Sequence, residues 1–251
     1  MKKLLLILLA AMPLVSMAGD YESTLLVQTG KLRESDLVVR TVSDLESNRI
    51  CLAFYIRTTG TSPMISCYDV PSGFRSKISQ VGHYKDGKLI IRKIKDEIND
   101  ESCLVAYVST AGTSPAIDCY HYDKGPKFRS SEAMISNGHL REGDLEVYKI
   151  ADPESHKTCV AAYVDTGGTS PSLQCYDSVG AGKGGLVQTD HMREGDLIVR
   201  KIVDQANRME CLITYVSTEG TSPHIYCAQV GSNAASPQNT SWKAAPPTVG
   251  R

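Results

Sequence analysis

Residues 103–119 read CLVAYVSTAGTSPAIDC, in which two apolar runs flank a polar segment and a cysteine stands at each end. Close relatives of this stretch begin at Cys51, Cys159 and Cys211, so the first cysteines lie 52, 56 and 52 residues apart. A fixed period of about 50 residues is typical of a repeat protein. The repeats are expected at about 22–70, 76–122, 132–178 and 184–230.

Each repeat divides into four short segments with the composition of β-strands. In the third repeat these segments read EAMISNG, GDLEVYKI, CVAAYVDT and SLQCYDS, and turn residues separate them. Apolar alternation and β-branched residues predict strands, and a segment that is apolar on both faces predicts an interior strand. The sequence therefore predicts an all-β protein with four tandem repeats, each of about 52 residues and about four antiparallel strands.

The sequence is compatible with three ways of packing the repeats. A unit of about 50 residues is too small to bury a large core alone, which favours repeats that share an interface. Four strands in each of four repeats make a four-bladed β-propeller the first interpretation. Tandem β-sandwich units and stacked β repeats are the alternatives.

The cysteine spacing predicts a disulfide within each repeat. Cys51 and Cys67 are equally distant from Thr59, so a hairpin centred there brings the two cysteines opposite each other. Facing residues of antiparallel strands have Cβ atoms about 4.5–5.5 Å apart, which is close to disulfide geometry. The spacing is too long for the usual zinc-binding cysteine pairs. The predicted disulfides are Cys51–Cys67, Cys103–Cys119, Cys159–Cys175 and Cys211–Cys227.

The GTSP segment is predicted to form a hairpin loop. Four copies argue against a catalytic serine, because a catalytic group is normally needed once. Gly60 and its equivalents would supply a residue with positive φ. Pro63 cannot donate to a β-ladder, so the last strand of each repeat is expected to start after this proline. Thr61 and Ser62, with their equivalents, are expected to satisfy local backbone groups of the turn.

The two ends of the chain predict export and a disordered tail. Residues 1–18 combine two lysines, an apolar run and the small residues SMA, which is the pattern of a bacterial signal peptide cut after Ala18. Residues 19–230 would form the repeat domain, and 231–251 a disordered tail rich in Pro, Ser and Ala. No other stretch is apolar enough to span a membrane. A periplasmic or secreted bacterial protein is expected, and export permits disulfides.

Charge and motifs argue against several classes of function. The leader holds two of the 27 basic residues, which leaves 25 beside 28 acidic ones and gives no electrostatic footprint for nucleic acid. No GxSxG motif, phosphate-binding loop or calcium loop occurs. His83, His139 and His191 recur at one position, where the first repeat has Lys31, and we interpret them as polar residues beside a turn. No catalytic residue, metal or cofactor is predicted.

Binding is predicted at one end of the molecule. In four consecutive antiparallel strands the first and third turns lie at the same end, and these turns, such as GHLREGD and GTSP, are closely repeated. The sequence predicts a non-enzymatic binding or structural protein whose partner is a glycan or an envelope or extracellular protein. An extracytoplasmic hydrolase with one irregular site and a protease inhibitor are the alternatives. The candidate ligand-binding residues are Thr113, Ser114, His139, Arg141, Thr169 and Ser170.

Overall fold

The computed structural model describes residues 26–70, 73–122, 134–178 and 185–230, in which all regular structure is β-strand. The predicted signal peptide and tail lie outside the described residues. The strands are β1 (Leu26–Glu34), β2 (Leu37–Asp44), β3 (Arg49–Ile56), β4 (Met64–Asp69), β5 (Ile78–Asp86), β6 (Leu89–Asp96), β7 (Glu101–Val108), β8 (Ala116–His121), β9 (Ile135–Glu142), β10 (Leu145–Asp152), β11 (Lys157–Val164), β12 (Ser172–Asp177), β13 (Leu186–Glu194), β14 (Leu197–Asp204), β15 (Met209–Val216) and β16 (His224–Gln229).

The strands form four antiparallel sheets, one in each repeat. Sheet 1 contains β1–β4, sheet 2 β5–β8, sheet 3 β9–β12 and sheet 4 β13–β16, and consecutive strands are neighbours in every sheet. The prediction of an all-β protein with four four-stranded repeats is confirmed. The first and third turns of each sheet lie at one end, called the loop end below, and the second turn lies at the other, called the turn end.

The first strand of each repeat extends further than the sequence pattern indicates. The pattern assigns residues 138–144 to the first turn of repeat 3, but β9 contains all of these except the last two. A bulge in the pairing of β9 with β10 near Gly138 allows the strand to continue. The two strands are close here, since a Cβ atom on Gly138 would lie 3.3 Å from the Cβ of Lys149. His139 and Arg141 are therefore strand residues.

The four sheets stack face to face in the order of the chain. Leu37 and Val39 of sheet 1 pack with Ile90 and Ile94 of sheet 2, and separate apolar clusters fill the next two gaps. The central strands of sheets 2 and 3 are buried almost throughout, whereas those of sheets 1 and 4 alternate between buried and more exposed residues. Among the described residues, sheets 2 and 3 are thus covered on both faces, and sheets 1 and 4 on one.

This arrangement differs from the four-bladed propeller that the repeat number favours. A closed ring covers every blade on both faces, whereas the outer faces of sheets 1 and 4 are not covered by the described residues. Wherever strands of two different sheets pack closely, the two sheets follow each other in the chain. The sequence could not distinguish a ring from a stack, because the number of strands in each repeat is the same in both.

The four predicted disulfides are confirmed. In each sheet the two cysteines face each other across the third and fourth strands, and their Cα atoms lie 3.9–4.0 Å apart. Their surroundings differ, because the cysteines point toward the preceding sheet. Cys103, Cys159 and Cys211 are buried against that sheet. Cys51 and Cys67 lie on the outer face of sheet 1, where Cys67 is exposed.

Mild reduction of the native protein is expected to open Cys51–Cys67 first, since a reductant must reach a sulfur atom. Alkylation at increasing times, followed by peptide mass analysis, would measure the order. The three remaining disulfides have the same sequence separation of 16 and serve as internal controls. Equal rates for all four, or earlier opening of an inner disulfide, would contradict the stacked arrangement.

The GTSP segments form loops at the loop end. Their glycines have positive φ, for example 81° at Gly112, and the last strand of each repeat starts directly after the proline. Thr113 Oγ1 donates to the carbonyl oxygens of Val108 and Thr110 at 2.8 and 3.0 Å, and the equivalent threonines do the same. The predicted local roles of glycine, proline and threonine are confirmed. The loops, called GTSP loops below, are residues 57–63, 109–115, 165–171 and 217–223.

The serine of each GTSP loop has a different role from the predicted one, because it joins neighbouring repeats. The backbone N–H of Ser62 donates to Ser114 Oγ at 2.9 Å, and that of Ser114 donates to Ser170 Oγ at 2.7 Å. The N–H of Ser170 continues the series to Ser222 Oγ at 3.0 Å. These contacts form a ladder along the stack. They could not be predicted from one repeat, because donor and acceptor lie more than 50 residues apart.

A second set of contacts crosses the stack at the turn end. Asp204 accepts hydrogen bonds from Lys149 Nζ at 2.6 Å and from Tyr176 OH at 2.8 Å, and both donors belong to sheet 3. Asp152 receives the same two contacts from the equivalent lysine and tyrosine of sheet 2. The side chains of Lys149 and Asp204 are fully buried. The interface between two sheets therefore contains an ion pair in addition to its apolar core.

These aspartates remain ionised despite their burial. Burial raises the pKa of Asp204, but hydrogen bonds from Lys149, Asn207 and Tyr176 outweigh burial and bring the pKa below its usual value. This network was not predicted, although the sequence contains two signals of it. An aspartate stands seven residues before the first cysteine of every repeat, and a tyrosine follows the second cysteine in three of them.

Candidate functional site at the loop end of sheet 3

Four of the six predicted ligand-binding residues lie in GTSP loops. Thr113 and Thr169 are buried, and their hydroxyls donate to carbonyls of their own loops. The hydroxyls of Ser114 and Ser170 accept an N–H from the preceding loop. These contacts engage all four hydroxyls in the scaffold. The other two predicted residues lie on β9 and are much more exposed.

His139 and Arg141 converge on one buried carboxylate. Glu146 on β10 pairs directly with Arg141 on β9. His139 Nε2 lies 2.5 Å from Glu146 Oε2, and Arg141 Nη1 lies 3.0 Å from Glu146 Oε1. The Glu146 side chain is 5% exposed, whereas those of His139 and Arg141 are 44% and 59% exposed. A buried acid thus holds two exposed nitrogen-bearing side chains in place.

Two tyrosine rings support His139 from the interior. The His139 ring stacks on Tyr148, with centroids 4.4 Å apart and planes at 13°. The Tyr148 ring lies parallel to that of Tyr163, with centroids 6.3 Å apart. Burial raises the pKa of both tyrosines, so both phenols are neutral at physiological pH. The imidazole therefore stacks on uncharged aromatic rings that are packed in the interior.

Sheet 2 contributes to the edge of this site. Lys88 in the first turn of sheet 2 places its Nζ 2.7 Å from Asp165 Oδ1, and Asp165 belongs to the GTSP loop of repeat 3. The other oxygen of Asp165 lies 3.9 Å from Arg141 Nη2. A continuous row of charged and polar groups therefore spans two repeats. We call this group the repeat-3 site, and its members are Lys88, His139, Arg141, Glu146, Tyr148 and Asp165.

The repeat-3 site departs from the pattern of the other repeats. Arg200 of sheet 4 donates to Tyr215 OH at 2.9 Å and to Gln188 at 2.7 Å, and sheet 2 contains the same group of three. Repeat 3 has Tyr148 in place of this arginine and Glu146 in place of an apolar residue. Packing of the scaffold accounts for residues that recur, so residues that break the pattern are candidates for a role of their own. The counterparts of Tyr148 in the other repeats are Arg40, Arg92 and Arg200, and those of Glu146 are Val38, Ile90 and Ile198.

Sequence reasoning identified His139 and Arg141 but missed Glu146 and Tyr148. The signal lies in GDLEVYKI, where the glutamate replaces valine or isoleucine and the tyrosine replaces arginine. Because residues 138–144 were predicted to form the first turn, the pairing of Glu146 and Tyr148 with Arg141 and His139 was not predicted. Only a first strand that continues through the bulge places Tyr148 opposite His139 and Glu146 opposite Arg141.

The exposed groups of the repeat-3 site are polar or charged. It presents an imidazole, a guanidinium and an ammonium group, together with the partly exposed carboxylate of Asp165. The recurring histidines, His83, His139 and His191, lie on three different sheets. Within residues 26–70, 73–122, 134–178 and 185–230, no group of three or more His, Cys, Asp or Glu side chains could hold a metal ion.

Comparison of the chain with protein-family models, with curated proteins and with solved structures gives no match. The repeat-3 site is therefore interpreted from its own geometry. In the part of the chain that the structure describes, no helix is long and apolar enough to cross a bilayer. The four disulfides indicate an oxidising environment outside the cytoplasm.

Proposed function

We propose that this chain is a non-enzymatic binding protein of the bacterial periplasm or medium, and that its repeat-3 site contacts a polar partner, either a glycan or a protein. One observation carries the proposal. Where the other repeats have an apolar residue and an arginine, repeat 3 has a buried acid and a tyrosine that hold exposed His139 and Arg141.

The local geometry reduces the cost of binding. Immobilising a flexible side chain at an interface costs about 0.5–1.5 kcal/mol. Glu146 already holds Arg141 and His139, and Tyr148 supports the imidazole ring, so part of this ordering exists before a partner arrives. Arginine suits planar acceptors such as carboxylates, and imidazole can bond hydroxyl or amide groups. Sugars and protein surfaces both offer these groups.

The stack supplies a rigid support for this site. Disulfides hold the third and fourth strands of every sheet, and Lys88 ties sheet 2 to the GTSP loop of repeat 3. Binding residues are commonly presented in this way, on loops and strand ends that a rigid scaffold positions. The hydroxyls of Ser114 and Ser170 support the site through the loop ladder rather than by direct contact with the partner.

Arg141→Ala and His139→Ala are each expected to weaken binding by about fivefold or more, because truncating a residue at the centre of a binding site costs more than about 1 kcal/mol. Thermal stability should change little, since both side chains are largely exposed and each variant leaves Glu146 one of its two partners. The partner would be sought with the full chain on a glycan array and by pull-down from an envelope extract. Titration calorimetry would then compare the variants.

Repeat 4 offers matched control variants. Arg193 and His191 occupy the positions of Arg141 and His139 on a sheet that keeps the common Arg–Tyr–Gln group. Arg193→Ala and His191→Ala should leave the affinity unchanged. Equal losses in both repeats would remove the basis for a special site in repeat 3. If the repeat-3 variants lost thermal stability to the same extent as affinity, those residues would be assigned to the scaffold.

A hydrolase is the second candidate function. It is favoured by the two carboxylates, Glu146 and Asp165, that flank the guanidinium of Arg141. A panel of glycosidase, peptidase and esterase substrates tests it with the full chain. Turnover that Glu146→Gln abolishes would replace the binding proposal with an enzymatic one.

A further inference from the structure

The outer face of sheet 4 has the composition of a covered face. At one position of the repeat, Leu37, Leu89 and Leu145 are each at most 1% exposed, because the next sheet covers them. Leu197 occupies this position in sheet 4 and is 42% exposed, and nearby Leu212 is 39% exposed. No described residue takes the place of a following sheet. Sheet 4 thus keeps the apolar residues of an interface without a described partner.

Within the part of the chain that the structure describes, a lysine on the same face has no following sheet to contact, whereas its equivalents in sheets 2 and 3 do. Lys93 of sheet 2 reaches Asp152 and Glu154 of sheet 3 at 2.6 and 2.9 Å. Lys201 is the equivalent lysine of sheet 4, and it pairs with Glu210 of its own sheet at 2.8 Å while remaining 37% exposed. The charge that joins sheets inside the stack is therefore presented to solvent at its end.

The complementary groups lie at the other end of the stack. Asp44 and Glu46 of sheet 1 occupy the positions of Asp152 and Glu154, and Asp44 lies on the side of β2 that faces away from sheet 2. Asp44 accepts hydrogen bonds from the backbone N–H groups of Glu46 and Ser47, which hold its carboxylate in place. Glu46 is exposed. The outer face of sheet 1 thus carries the acids that would receive a lysine from a preceding sheet.

The serine ladder has two complementary ends as well. Each internal step joins a serine N–H to the Oγ of the next serine. At the first end, Ser62 Oγ has no preceding donor among the described residues, and at the last end the N–H of Ser222 has no described following acceptor. A second copy stacked in the same direction would supply both, because it would place Ser62 next to Ser222.

We propose that copies of this chain associate head to tail, with the outer face of sheet 4 packed on the outer face of sheet 1 of the next copy. Lys201 then pairs with Asp44 and Glu46, and the Ser222 N–H donates to Ser62 Oγ. The contact repeats the geometry of the internal sheet interfaces. A head-to-tail contact that does not close into a ring produces open chains of copies.

This interface is weaker than the internal ones. Tyr68, Tyr120 and Tyr176 each donate to an aspartate of the following sheet, whereas repeat 4 has Ala228 at their position. The association is therefore expected to be reversible. Two sheet 4 faces packed on each other would offer no equivalents of Asp44 and Glu46 to Lys201, so the head-to-tail arrangement is favoured by charge.

Sedimentation velocity of the full chain from micromolar to millimolar concentration tests the proposal. Wild-type protein should form species that grow beyond a dimer as concentration rises. K201E and E46K should each weaken association by about tenfold or more, because like charges then face each other. An equimolar mixture of the two variants should restore association, since every contact between unlike copies then joins opposite charges.

Lys85→Glu is the matched control, because Lys85 is exposed on the first strand of inner sheet 2. This variant should associate like the wild type. Thermal unfolding of each variant must match the wild type for the comparison to hold, and Leu212→Asp supplies a second, apolar disruption of the same face. The proposal is overturned by a monomer at every concentration, by a dimer that does not grow, or by a mixture that stays dissociated.

Discussion

Asp204→Ala is expected to lower the free energy of unfolding by about 3–5 kcal/mol, the usual effect of removing one partner from a buried ion pair. The substitution takes away the carboxylate that lies 2.6 Å from Lys149 Nζ, and the lysine side chain is 0% exposed. It also removes the acceptor of Tyr176 OH and of Asn207 Nδ2. Urea unfolding at neutral pH, followed by circular dichroism, would measure the loss.

Asp44→Ala is the matched control for this variant. Asp44 caps the same turn in repeat 1, where it accepts hydrogen bonds from Glu46 and Ser47, but none of the described sheets precedes it in the stack. Its replacement should cost clearly less than that of Asp204. Similar losses from the two variants would show that the turn, rather than the ion pair between sheets, accounts for the effect.

Removal of an inner disulfide has the second largest expected effect. The double variant Cys103→Ala and Cys119→Ala should lower the free energy of unfolding by about 2–5 kcal/mol, the usual effect of removing a native disulfide from a small secreted domain. The cross-link reduces the conformational entropy of the unfolded chain. Cys103 also lies in the apolar cluster between sheets 1 and 2. Its truncation therefore leaves a space in that cluster.

The corresponding variant of the outer disulfide separates these two contributions. Cys51→Ala with Cys67→Ala removes a cross-link with the same sequence separation of 16, so the effect on the unfolded chain is alike. These cysteines lie on the outer face of sheet 1, and Cys67 is exposed. The inner variant should therefore be the less stable of the two. Equal losses would mean that packing around Cys103 contributes nothing measurable.

The sequence was sufficient to predict most of the structure within each repeat. Alternation, turn residues and the cysteine spacing depend on neighbours in one hairpin, so the number of strands, the disulfides and the start of β4 after Pro63 were predicted correctly. The bulges at the first strands were missed, because Gly138 was interpreted as the start of a turn. That single error concealed the pairing of Arg141 with Glu146.

Structure between repeats could not be predicted in the same way. The Ser114–Ser170 step of the ladder and the Lys149–Asp204 pair join residues about 55 positions apart. Either contact could be predicted only once the stacking direction is known. Strand number alone is compatible with a ring or a stack. The departures of repeat 3 from the common pattern were visible in the sequence, but their meaning depended on which face meets sheet 2.

The stack also determines which parts of the molecule open first. Each inner sheet packs on two neighbours and each terminal sheet on one described neighbour, so fraying is expected to begin at the terminal sheets, as in repeat proteins with nearest-neighbour coupling. The repeat-3 site lies between the two inner sheets, since Tyr148 packs in their shared cluster and Lys88 joins sheet 2 to Asp165. Partial opening at either end should therefore leave the residues of the repeat-3 site in place, and backbone amides beside them should exchange with solvent more slowly than those of sheets 1 and 4.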